Sequence, residues 1–62
     1  MTALPIGEQI ACIERELRYR QRVYPDWVAR GRMTQAKSRE ELRRMEAVLA
    51  TLRAIEEGQR LI

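Results

Sequence analysis

The sequence predicts an all-α protein: an antiparallel helical hairpin with a kinked, proline-containing turn, dimerising into a four-helix bundle. Three observations carry that expectation. Large apolar residues recur at three- and four-residue intervals in two blocks, Ile6 to Trp27 and Leu42 to Ile55, which is the period of a helix and not of a strand. One Trp and no Phe are too few for an aromatic-cored β domain, while 45% apolar residues with three Gly and two Pro exclude a disordered chain. The chain has 62 residues, and a domain of that size buries only about 60% of its unfolded surface, so it needs a staple or a partner.

The first helix is expected over about 5–23. Ile6, Ile10, Ile13 and Leu17 form its stripe, and the same frame continues through Arg20 to Tyr24 and Trp27. Pro5 suits the first turn, where its missing N–H would have had no intrahelical partner. Glu14 with Arg18 and Glu16 with Arg20 stand in the favourable acid-first i,i+4 order, worth a few tenths of a kcal/mol each. Pro25 lacks a donor and biases Tyr24 toward extended geometry, so this helix is expected to end or kink near Val23. Residues 25–30 then form a short helical corner, closed by Gly31 in the left-handed conformation.

The second helix is expected over about 35–57 after a turn of about ten residues. Thr34 is the candidate N-cap, although Lys37 occupies the capping-box position; Ser38 with Glu41 is a better box one turn on, which leaves the start open between them. Leu42, Met45, Val48, Leu49, Leu52 and Ile55 make its stripe. Gly58 is placed to end it, leaving Leu61 and Ile62 to fray or to pack on a partner. No repeat or linker divides residues 1–62, so they form one domain. The stripe is wider than one facing helix covers, and a second copy is expected to bury the surplus, with Leu17, Leu42, Met45, Leu49 and Leu52 as the core and dimer residues.

The inventory of reactive side chains is small. There is no His, one Cys and one Asp, so the usual hydrolytic, redox and metal-site layouts cannot be assembled, and neither an enzyme nor a cofactor or metal is expected. Cys12 has no activating base and no CxxC companion, and reads as a small apolar filler. A lone cysteine cannot close an intrachain disulfide, which points to a reducing compartment, the cytoplasm. The N-terminal stretch has no basic region followed by an apolar run, as a signal peptide would. No apolar run approaches the roughly 20 residues a bilayer requires, so no membrane partner is expected.

Charge is uneven along the chain. Between Arg15 and Arg44 ten basic residues face four acidic ones, a local +6, whereas the two ends together carry −3. Eleven of the twelve basic residues are Arg, the side chain that forks onto phosphate or carboxylate and stacks on bases. Arg22, Arg30, Arg32, Lys37, Arg39, Arg43 and Arg44 at the turn end are the candidate partner- or anion-binding residues, and the plainer reading is a solvated, salt-bridged surface. Tyr24 and Trp27 are expected to plug the open end of the hairpin against Met33 and Leu42, with base stacking as the functional alternative. Arg20, in the apolar frame of the first helix, either sets register against an acid or snorkels at the edge.

The stretch Arg22-Val23-Tyr24-Pro25-Asp26-Trp27-Val28-Ala29-Arg30-Gly31-Arg32-Met33-Thr34, followed by Met45-Glu46-Ala47-Val48-Leu49, resembles a family of small phage and prophage proteins with a similar "RVYP…V…G.M" corner and a second helix reading "MEA…L". The likeness covers roughly residues 10 to 53 and implies a bacterial host cytoplasm, without transferring any catalytic or binding residue. The function expected is that of a non-enzymatic accessory protein, a homodimer that acts as adaptor or inhibitor by binding a host or phage protein. The alternative is an RNA- or DNA-binding dimer that uses the Arg-rich turn end.

Overall fold

A computed structural model describes residues 4–60 and shows two helices, α1 (Ile6–Ala29) and α2 (Gln35–Arg60), packed antiparallel as a hairpin. The molecule is a rod of 48 × 19 × 19 Å. The all-α hairpin expected from the apolar periodicity is therefore present.

Two features of the turn differ from the expectation. No separate corner follows α1, which runs through Pro25 to Ala29 instead of ending near Val23. Proline inside a helix removes one backbone bond and costs about 3 kcal/mol. Here side-chain burial and contacts hold the turns on either side of it. Tyr24 is the most buried described side chain at 3% exposure, its hydroxyl accepts a hydrogen bond from Arg20 at 3.0 Å, and its ring lies 5.5 Å from that of Trp27. Pro25 itself is exposed, so its ring displaces no core residue. Because α1 absorbs the corner, residues 30–34 alone join the helices, about half the predicted loop.

Those five residues are fully punctuated. The N–H of Gly31 donates to the carbonyl of Val28 at 3.1 Å and that of Arg32 to Trp27 at 2.8 Å, the paired bonds of a Schellman cap. Gly31 has φ +75°, as that cap requires. Thr34 then accepts the N–H of Lys37 on its Oγ1 at 3.0 Å and is the N-cap of α2. Ser38 is no second start: it is buried inside α2, with its N–H bonded to the carbonyl of Thr34.

At the other end of the rod, Pro5 precedes α1 and its carbonyl receives the N–H groups of Glu8 and Gln9. Gly58 does not end α2, which continues to Arg60; the helical conformation costs glycine only about 1 kcal/mol relative to alanine, too little to stop a helix already propagating. The placement expected for Leu61 and Ile62 lies outside the described residues.

The core is thin. Ile10, Leu17 and Leu49 form its buried cluster, with Ile6, Ile13, Leu42, Met45 and Leu52 packed around it. Of the five core residues predicted, Leu17 and Leu49 are buried and Leu42, Met45 and Leu52 lie half-buried at the border, while Ile10 belongs at the centre. No described side chain falls below 2% exposure. The chain exposes 5037 Å², whereas a compact monomer of 7.3 kDa exposes about 4,200 Å². Two helices alone leave that surplus because each presents only one face to the other.

Candidate interaction surfaces

The seam between the helices has two flanks of opposite character. On one, Glu14 of α1 and Arg53 of α2 bridge the helices, with the guanidinium 2.7 Å from the carboxylate. Glu14 therefore leaves its predicted partner Arg18 and ties the two helices together. The opposite flank is apolar and open. Leu4, Gln9, Cys12, Ile13, Val48 and Leu52 line a groove of about 290 Å³ there. Val48 is 47% exposed and Ile55, on the same side of α2 at about 100° per residue, is 46% exposed. Cys12, expected as a small apolar filler, is exposed and lines this groove.

The seven predicted basic residues are all exposed, but they are not equivalent. Arg30 pairs with Asp26 at 3.1 Å, Lys37 with Glu41 at 3.9 Å, and Arg44 with both Glu40 and Glu41. Such exposed i,i+4 pairs contribute little to stability, but they partly neutralise the turn end. Arg32, Arg39 and Arg43 make no ion pair among the described residues. Arg22 lies over the ring of Tyr19 with its guanidinium carbon 5.6 Å from the centroid.

Tyr24 and Trp27 divide. Tyr24 is buried and offers no face to a ligand, whereas Trp27 is half-buried. Arg20 is held within its own helix, bonded to Tyr24 and 3.8 Å from Glu16, while its Nε is buried without a partner. The hydrogen bond it donates to the Tyr24 hydroxyl raises its pKa, and the carboxylates of Glu16 and Glu41 add to that against partial desolvation. It is the edge residue of the two readings, its side chain one-third exposed.

Two arginines outside the predicted set complete a second basic region. Arg15, Arg18 and Arg22 are exposed on α1 and form no ion pair among the described residues. Together with Glu16 and Tyr19 they line a shallow depression of about 440 Å³. Their i, i+3, i+7 spacing was the available signal. The i,i+4 pairing of Glu14 with Arg18 that the sequence favours would have neutralised the middle of this row.

Among the described residues no group of His, Cys, Asp and Glu side chains is arranged to hold a metal, and no helix is long and apolar enough to cross a membrane. No protein-family model, curated protein or solved structure matches the chain.

Proposed function

We propose that this chain is a non-enzymatic, phage-type accessory protein of the bacterial cytoplasm that acts as a protein–protein interaction module, and that the first occupant of its apolar flank is a second copy of itself. The observation that carries the reading is the open flank formed by Cys12, Ile13, Val48, Leu52 and Ile55. The chain exposes about 800 Å² more than a compact monomer of its mass, so surface is left for a partner to cover. Pairing two hairpins through this flank gives a four-helix bundle and leaves the turn ends free for an adaptor's or inhibitor's target.

Light scattering at micromolar concentration tests it. The expected mass is twice 7.3 kDa, and the double variant Val48→Glu, Ile55→Glu should halve it and make melting independent of concentration. A wild-type monomer with cooperative, concentration-independent melting would remove the dimer from this reading.

A further inference from the structure

We infer that the outer face of α1, built from Arg15, Arg18, Tyr19 and Arg22, is a binding surface for single-stranded nucleic acid. The inference goes beyond the dimer reading and uses a different part of the molecule. At about 100° per residue, Arg15, Tyr19 and Arg22 fall opposite Leu17, so they point away from α2; Tyr19 lies one heptad from Cys12, and Arg15 donates to the Cys12 sulfur at 3.9 Å, so the face borders the apolar flank. Arg18 and Arg22 lie on the far side of α1 from Cys12, so a bundle formed through that flank leaves them uncovered.

Three observations favour this ligand. The three arginines have no carboxylate partner among the described residues, so their charge is not spent within the hairpin as that of Arg30, Lys37 and Arg44 is. They climb about 10 Å of helix in steps of roughly 4.5 and 6 Å, a spacing that successive phosphates of a flexible strand can follow. Tyr19 stands among them with 44% of its surface exposed, an aromatic ring kept at the surface under a guanidinium. A phosphate-binding row beside a ring on which a base can stack is the pairing that single-strand binders use. A duplex would satisfy the charges and leave Tyr19 without a role.

The test is fluorescence anisotropy with a labelled single-stranded RNA or DNA of mixed sequence, about 20 nucleotides long to exceed one binding site. Two triple variants carry the comparison: Arg15→Gln, Arg18→Gln, Arg22→Gln on the outer face, and Arg30→Gln, Lys37→Gln, Arg44→Gln at the turn end. Each lowers the formal charge from +3 to zero, so net charge is matched, and circular dichroism verifies that both remain helical. The outer-face variant should bind at least tenfold more weakly than wild type, and its salt slope should fall by about two, the value for three phosphates on a single strand. The turn-end variant should keep affinity within about threefold of wild type. Tyr19→Leu should weaken binding at least about fivefold, the lower limit for one stacked base. Equal losses in the two triple variants, absence of wild-type binding at low salt, tighter binding of a duplex of the same length, or equal binding of polyglutamate would each overturn the assignment. None of these readouts depends on whether the protein is a dimer, since a monomeric hairpin presents the same face.

Discussion

Glu14 and Arg53, 39 residues apart in sequence, meet at 2.7 Å across the helix seam on the flank opposite the apolar groove. Among the described residues this is the one ion pair that joins α1 to α2; the rest lie within one helix or between a helix and its cap residue. It fixes the antiparallel register together with the Leu17–Leu49 cluster and makes the two flanks of the hairpin unlike.

Both partners of that pair are substantially exposed, so its worth is small. Glu14→Gln or Arg53→Gln should cost about 0–1 kcal/mol, less at high salt. The exchange Glu14→Arg, Arg53→Glu should recover most of the loss. A double-mutant cycle in urea measures the coupling.

Leu49 is 7% exposed at the centre of the core, and Leu49→Ala should cost about 2–4 kcal/mol. In a chain of this size that is most of the stability. A far smaller shift in the melting curve would mean that the Leu17–Leu49 cluster is not the chief source of stability.

Pro25 sits inside α1 with its ring exposed, and Pro25→Ala restores a backbone donor to the helix. The substitution should stabilise the protein by about 1–3 kcal/mol, the lower end allowing for the greater freedom alanine gives the unfolded chain. Thermal unfolding monitored by circular dichroism would show the gain as a higher Tm.

The glycines of the two helix ends should respond with opposite signs. Gly31 has φ +75° with open space around its Cα, so Gly31→Ala should lose about 1–2 kcal/mol through backbone strain alone. Gly58 is helical and equally open, and Gly58→Ala should gain about 0.5–1 kcal/mol. Equal shifts in the same direction would contradict the two backbone conformations.

The apolar spacing from Ile6 to Leu17 and from Leu42 to Ile55 made the two helices legible, and Gly31 and Thr34 marked the turn, because each of these signals is local. Pro25 misled because its penalty is local too, while the burial of Tyr24 that offsets it arises only when α2 is in place. Gly58 misled for a related reason: a glycine stops a helix only when the chain beyond it takes the left-handed cap. The basic residues were visible, but which were neutralised was not. Arg30, Lys37 and Arg44 find acids within their own turns, whereas Glu14 is drawn across the seam to Arg53 and leaves Arg18 free.

The five-residue turn also bears on how the chain reaches its fold. Every hydrogen bond of the Schellman cap and of the Thr34 cap spans at most five residues, so the turn can assemble before either helix finds the other. Once it exists, residues near it on α1 and α2 are brought together with little further loop-closure entropy, and the helices can close from the turn toward the termini. Chains dominated by such short-range contacts fold on microsecond to millisecond timescales. Gly31→Ala should consequently slow folding more than it hastens unfolding, whereas Ile10→Val, at the far end of the core, should act chiefly on the unfolding rate.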